Sequence, residues 1–132
     1  MTRDGSLPVV LLAVGTGAAL GAVLRWALSY GLNGKLVLLP AGTLIANLLG
    51  GFFAGIALAY FATHMEVSPW VRLFVVTGLL GGLTTFSTFS AENVTMLLEG
   101  DYLRSLTHAA LHLLGSLAMT ALGFWLIIQI SS

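Results

Sequence analysis

The chain contains no cysteine among its 132 residues, and only 8% of them are charged. Without cysteine, neither disulfide bonds nor thiolate metal sites are available. The formal net charge is zero and no basic run occurs, which argues against nucleic acid as a partner. The glycine-rich loop that cradles a nucleotide phosphate is also missing, so any transport must be passive or coupled to an ion gradient.

Hydrophobic residues make up 58% of the chain, and the mean hydropathy is +0.99. Four stretches free of charge each reach the roughly 18–20 residues that cross about 30 Å of hydrocarbon. We therefore expect an all-α membrane protein with one membrane domain over residues 1–132. The predicted helices cover residues 7–30, 42–62, 70–98 and 102–130.

The third predicted helix contains an unusual stretch, Gly78–Ser90, in which three glycines and five hydroxyl residues crowd together. Each glycine inside a helix costs about 1 kcal/mol relative to alanine. A continuous helix over 70–98 would rise about 42 Å, which is more than the hydrocarbon core requires. We expect helix 3 to be broken at Gly81–Thr85, and broken helices in bilayers mark ion or substrate sites.

A polar stripe runs along the fourth predicted helix, where four polar residues recur at every fourth position. Successive members lie about 40° apart around a helix. Three interpretations stay open: a stripe that packs against another helix, a polar track for a permeant species, or a zinc pair formed by the two histidines. No acidic residue lies near that pair in the sequence. The residues are His108, His112, Ser116 and Thr120.

Other polar and aromatic residues have two interpretations each. Thr43 and Asn47 share a face of helix 2, and Asn47 could bond to another helix or donate to a passing ion. Arg25 could anchor the end of helix 1 in the interface or face an aqueous vestibule. Phe86 and Phe89, three residues apart, could pack in a core or present positively polarised ring edges to an anion.

Buried carboxylates are scarce, because helices 1, 2 and 4 have none at their centres and Glu92 follows the break. A proton-coupled exporter of cations needs such a group. Uncharged hydrogen-bond donors are plentiful, and these suit an anion. The donors are Asn47, Ser87, Thr88, Ser116 and Thr120.

Basic residues show almost no bias between the two sides of the predicted four-helix topology. Arg3 and Arg72 fall on one side, and Lys35 and Arg104 on the other, together with Arg25 if it is counted. An excess of basic residues normally fixes the cytoplasmic side. A chain without this excess could insert in both orientations, which predicts an antiparallel homodimer.

Three motifs give the chain a resemblance to the Fluc (CrcB) family of fluoride channels that extends along essentially its whole length. The most specific is GGLTTFSTFS at Gly81–Ser90. The others are GTLIAN at Gly42–Asn47, followed by a glycine pair, and the glycine, arginine and tryptophan at positions 21, 25 and 26.

The resemblance implies a fluoride-selective channel in the bacterial plasma (inner) membrane, with no enzymatic activity and no organic cofactor. It would be an antiparallel, dual-topology homodimer with two pores that export cytoplasmic fluoride passively. A structural sodium ion would lie at the centre of the dimer, held by the backbone carbonyls of Gly81 and Thr84.

The resemblance also implies roles for individual side chains. Phe86 and Phe89 would form aromatic boxes along each pore, and Asn47 would donate to fluoride beside Thr43. Arg25 would lie near the vestibule and Glu92 near the end of helix 3. The polar track would consist of Ser87, Thr88, Ser116 and Thr120, with His108 and His112 at positions where family members carry tyrosine and serine.

Two other functions stay open on the residues alone. A small proton-coupled exporter of cations would need Glu92 as its membrane carboxylate. A non-transporting assembly subunit would use the small residues for helix contacts only.

Overall fold

The computed structural model describes residues 6–132, in which all regular secondary structure is helical. Arg3, which entered the charge balance above, lies outside the described residues. The elements are α1 (Leu7–Leu32), α2 (Ala41–Thr63), α3 (Pro69–Arg72), a π-helix (Leu73–Leu80), α4 (Gly81–Leu83), α5 (Phe86–Leu98) and α6 (Tyr102–Ser131).

Four helical segments are long and apolar enough to cross a membrane, which confirms the prediction of four spans. The third of them, Pro69–Leu98, is called the third span below. It combines α3, the π-helix, α4 and α5. The other three are α1, α2 and α6.

Short polar connections end one helix and begin the next. After α1, Gly34 has a φ of +90°, the left-handed region that favours glycine. Asn33 beside it caps the start of α2, because its Oδ1 accepts from the backbone N–H groups of Gly42 (2.7 Å) and Thr43 (3.2 Å). Asp101 caps α6 in the same way, by accepting from Arg104 N at 3.2 Å.

The four spans pack mainly as two close pairs, α1 with residues 73–83 of the third span and α2 with α6. Glycines allow the backbones to approach closely. A Cβ at Gly21 would lie 2.7 Å from Leu83 N, and a Cβ at Gly82 would lie 3.0 Å from Ala22 N. Such close approach between helices is typical of small residues in membrane proteins.

The third span is interrupted, as predicted, but the interruption is narrower than Gly81–Thr85. Thr84 (φ −92°, ψ 155°) and Thr85 (φ −150°, ψ 124°) are extended, whereas Gly81 and Gly82 remain helical in α4. β-branched residues favour extended backbone. Gly82 therefore provides space for α1, and the two threonines break the helix.

The π-helix over Leu73–Leu80 was not predicted from the sequence. Its hydrogen bonds join residues five apart, and such segments occur frequently at functional sites. Its sequence, LFVVTGLL, has no proline and no other local signal that separates a π-helix from an α-helix. It packs against α1, and that tertiary contact accompanies the widened turn.

The interior of the described residues combines small apolar side chains with polar ones. The apolar cluster consists of Ala46, Ala57, Leu80 and Leu83. The largest side chains that are fully buried are polar: His108 and Thr43, each 0% exposed. Buried polar groups cost free energy unless they are hydrogen-bonded, so this interior points to a site.

The contact between α2 and α6 at Gly55 gives a first testable prediction. A Cβ at Gly55 would lie 2.8 Å from Phe124 N, whereas a Cβ at Gly15 would meet no atom within 4 Å. Gly55→Ala should lower the free energy of unfolding in detergent micelles by about 1–3 kcal/mol, because α2 and α6 must separate. Gly15→Ala is the matched control and should not destabilise the protein. Equal stability of the two variants would contradict the packing.

Candidate functional site

The break in the third span is held by the side chain of Asn47 from α2. Its Oδ1 accepts from Thr85 N at 2.8 Å, and its Nδ2 donates to Thr85 O at 3.0 Å. Both backbone groups of one extended residue are thereby satisfied by a single amide. Inside a bilayer this is required, because no lipid group can replace the missing helical bonds.

Two backbone carbonyls next to the break lose the donors that a continuous helix would supply. Thr85 N, which would pair with Gly81 O, donates to Asn47, and Thr88 N, which would pair with Thr84 O, donates to Thr85 Oγ1 at 3.0 Å. Arg25 Nε donates to Gly82 O at 3.0 Å. Arg25 therefore lies beside the break, bonded to its backbone.

Two imidazoles of α6 lie beside the break and have similar surroundings. His112 is 5% exposed, and its Nδ1 lies 3.0 Å from Asn47 Nδ2. His108 is fully buried, and its Nδ1 lies 3.0 Å from Asn93 Nδ2. An asparagine amide thus contacts the Nδ1 of each ring.

His108 also joins a polar network between α2, α5 and α6. Its Nε2 lies 3.1 Å from Glu92 Oε1, and the other oxygen of Glu92 accepts from Thr43 Oγ1 at 2.7 Å. Asn93 is tied to Ser105, donating to its backbone carbonyl (2.9 Å) and accepting from its hydroxyl (2.8 Å). Both oxygens of the partly buried carboxylate therefore have partners.

Asn93 and Ser105 were missed by the sequence analysis, as was the contact of Glu92 with His108. A signal was present: α5 and α6 form an antiparallel hairpin around Gly100. Glu92 and His108 lie equally far along the chain from that glycine, on opposite sides. Residues placed in this way face each other when the turn is tight.

Aromatic rings connect the histidines to the segment after the break. Phe89 stacks on His108 with ring centroids 4.9 Å apart and planes at 12°, and it contacts His112 at 4.7 Å. Phe86 lies 5.6 Å from Phe89 and is 80% exposed. One face of Phe89 is thus covered by imidazole, whereas Phe86 projects outward.

A cavity of about 480 Å³ lies between α2, the third span and α6. It is lined by Gly81 and Thr84 and by six of the predicted pore residues: Asn47, Phe86, Phe89, His112, Ser116 and Thr120. The remaining predicted residues do not line it. Ser87 lies next to it, with its Oγ 3.3 Å from Thr85 Oγ1, and the backbone N–H of Thr88 donates to Thr85 Oγ1. The other predicted residues take part in the hydrogen bonds described above; they are Thr43, Glu92, His108 and Arg25.

Three groups in this region have a spacing that a metal ion could use. Ligand atoms of Glu92, His108 and His112 lie within 4.8 Å of one another. The acidic partner that the histidine pair lacks in the sequence is therefore supplied by the fold. Whether the two imidazoles present lone pairs or hydrogens decides what this cluster can bind.

A model of one protein family matches residues 12–124, and its description is "CrcB-like protein, Camphor Resistance (CrcB)". The chain belongs to the CrcB-like family. The matched range contains Asn47, Thr85, both histidines and every lining residue of the cavity. The resemblance inferred from the three sequence motifs is thereby confirmed.

Curated relatives of this CrcB-like chain carry the name "Fluoride-specific ion channel FluC". The protein from Ralstonia pickettii (strain 12J) is 57% identical over 86% of this chain and 90% of its own length. The protein from Thiobacillus denitrificans is 58% identical over 86% of this chain and 92% of its own length. The protein from Cupriavidus metallidurans is 52% identical over 89% and 94%.

The bond between Thr43 and Glu92 gives a second testable prediction. Thr43→Val keeps the shape of the buried side chain but removes its donor to the carboxylate. The free energy of unfolding should fall by about 1.5–3 kcal/mol, the usual value for a hydrogen bond to a charged group.

The matched control for this variant is Thr107→Val. The Thr107 hydroxyl is exposed and bonds Leu103 O of its own helix at 2.9 Å, so its loss should change stability by less than about 0.5 kcal/mol. The measurement is thermal unfolding in detergent micelles. A Thr43 variant as stable as the control would contradict the network.

Proposed function

We propose that this chain is a fluoride-selective channel that exports cytoplasmic fluoride passively across the bacterial plasma membrane. The observation that carries the proposal is identity of 57–58%, over 86% of the chain, with proteins named as fluoride-specific ion channels. These relatives are ion channels rather than enzymes, in agreement with the expectation from the sequence. We propose one membrane domain over residues 1–132 as the unit of each subunit.

The cavity between α2, the third span and α6 is the proposed fluoride path. Its hydrogen-bonding side chains are those of Asn47, His112, Ser116 and Thr120. A permeant anion needs donors that replace its water but release it again. Phe86 and Phe89 are the proposed aromatic boxes, because ring edges attract an anion weakly. Ser87 and Thr88 would extend the track beyond the break.

Four further residues have proposed roles outside the cavity. Arg25 contributes a positive charge near the vestibule, although its Nε is also bonded to Gly82 O. Thr43, Glu92 and His108 form a bonded group next to the path. No charged group of this set needs to move for passive conduction. An inside-negative potential of 100 mV favours outward movement of one fluoride by about 2.3 kcal/mol.

A structural sodium ion is proposed at the carbonyls of Gly81 and Thr84. The donors that these carbonyls would have in a continuous helix bond elsewhere, to Asn47 and to Thr85 Oγ1. Carbonyls of unwound membrane helices are suitable ligands for sodium. When bound, the ion would neutralise the partial negative charge that the break leaves at membrane depth.

The proposed assembly is an antiparallel, dual-topology homodimer with two pores and the sodium ion at its centre. Two observations support it. Basic residues are balanced between the two sides of the four spans. Phe86 lines the cavity and yet is 80% exposed in one subunit, so a second subunit would be needed to enclose it.

Ion efflux from liposomes tests the proposed function. Purified protein should pass fluoride much faster than chloride. Phe86→Ile and Asn47→Ala should each slow fluoride efflux about tenfold or more, since one removes a ring edge and the other frees the break. The readout is a fluoride electrode, with empty liposomes and chloride efflux as controls. Protein that passes no fluoride, or passes both ions equally, would overturn the proposal.

Dual topology can be tested with single cysteines, because the chain has none of its own. Val37→Cys, in the connection before α2, and Ser132→Cys, after α6, lie on opposite sides of a four-span chain and are both exposed. A membrane-impermeant thiol reagent added to spheroplasts should label about half of each variant. Full labelling of one variant and none of the other would rule out the antiparallel dimer.

A further inference from the structure

The imidazoles of His108 and His112 share one protonation pattern, which follows from their asparagine partners. An amide NH₂ group can only donate, so the ring nitrogen beside it must accept. Asn47 Nδ2 lies 3.0 Å from His112 Nδ1, and Asn93 Nδ2 lies 3.0 Å from His108 Nδ1. A neutral ring that accepts at Nδ1 carries its proton at Nε2.

The orientation of both amides is fixed by other bonds. If the Asn47 amide were turned over, its NH₂ would face Thr85 N and its oxygen would face Thr85 O, so two bonds would become two repulsions. The Asn93 amide is held by Ser105 O, which needs a donor, and by the Ser105 hydroxyl. The assignment of Nδ1 as acceptor on both rings therefore follows from the backbone groups.

The two Nε2–H groups differ in one respect. His108 donates to Glu92 Oε1 at 3.1 Å. The Nε2 of His112 is buried and has no hydrogen-bond partner in residues 6–132. An unpaired buried donor is costly to retain, and His112 lines the proposed fluoride path.

This pattern distinguishes an anion from a metal ion as the ligand. A metal-bound imidazole ligates with a lone pair and usually donates its other N–H to an acceptor. Here the Nδ1 atoms beside the asparagines face donors, so the Nε2 atoms of both rings carry the hydrogens. The cluster of Glu92, His108 and His112 has the spacing for a metal ion, but its hydrogens are placed for an acceptor.

We propose that the Nε2–H of His112 is a direct hydrogen-bond donor to the permeating anion, and that Asn47 is the positioning residue that keeps the proton on that nitrogen. This rests on the proposed function and deepens it. Both amide hydrogens of Asn47 are used, by Thr85 O and His112, so Asn47 acts on the anion through the ring. Direct donation by Asn47 would require one of these bonds to open.

Two substitutions at His112 separate the roles of its nitrogens. In His112→Asn, the asparagine side chain ends near the position that Nδ1 has in the histidine. It therefore keeps an acceptor for Asn47 but has no donor at the position of Nε2. His112→Gln reaches the position of Nε2 with an amide donor. In fluoride efflux from liposomes, His112→Asn should be slower than the unmodified protein by about ten- to a hundredfold. His112→Gln should restore part of this loss and be at least about threefold faster than His112→Asn.

The transport outcomes distinguish this inference from the proposed function. If the unmodified protein passes fluoride and His112→Asn does so at the same rate, only the role of His112 is wrong. If the unmodified protein passes no fluoride, the proposed function and this inference fall together.

Nitrogen NMR of histidine-labelled protein tests the proton position without transport. At pH 8, above the ordinary imidazole pKa, His112 should show the Nε2–H tautomer. Fluoride, but not chloride, should shift this resonance, which is identified by its loss in His112→Gln. His64, in the connection between two spans, is the control. Asn47→Ala should leave His112 as a mixture of tautomers while His108, held by Asn93, keeps one.

Three results would overturn the inference. The first is an Nδ1–H tautomer at His112 in the unmodified protein. The second is a fluoride response that is identical at His64 and His112. The third is binding of Zn²⁺ through the Nε2 atoms of both rings, because a bound metal ion requires lone pairs where we place hydrogens.

Discussion

The paired hydrogen bonds between the Asn47 amide and the Thr85 backbone are the interaction on which this structure depends. An extended residue at membrane depth is stable only if its peptide groups are bonded within the protein. Asn47 provides both bonds from a neighbouring span, at 2.8 and 3.0 Å. The same amide satisfies the peptide groups of the break and contacts Nδ1 of His112.

A second set of hydrogen bonds joins the spans, in addition to the contacts that the small apolar residues make. The buried interior has few large hydrophobic side chains, and its largest fully buried members are His108 and Thr43. Both bond to Glu92, so α2, α5 and α6 meet at one carboxylate. Because lipid gives helices little hydrophobic reason to associate, such polar contacts contribute to which helix packs against which.

The sequence predicted the parts of this fold that depend on length and composition. Four spans follow from apolar stretches long enough to cross a bilayer, and the interruption follows from a threonine pair behind two glycines. The role of the glycines was assigned less well, since Gly82 faces α1. Proximity to α1 is a tertiary property, and the π-helix also packs against α1.

At the site, sequence spacing predicted the stripe on α6 but not its partners. The contact between Glu92 and His108 depends on the register of the hairpin around Gly100, whose φ is +77°. The role of Asn93 depends on Ser105, on the opposite arm. The periodicity of polar residues along one helix does not predict contacts between residues of two helices. Position relative to the turn does predict the contact between Glu92 and His108, which lie equally far from Gly100 on opposite sides.

Asn47 leaves the ribosome before Thr85 does. When the third span enters the bilayer, the amide that must bond to its broken turn is already there, whereas the imidazoles arrive later with α6. Insertion of this chain therefore requires α2 to remain beside the incoming third span. If α2 and the third span separated in lipid, the Asn47 amide and the Thr85 peptide groups would both lie in hydrocarbon without hydrogen-bond partners.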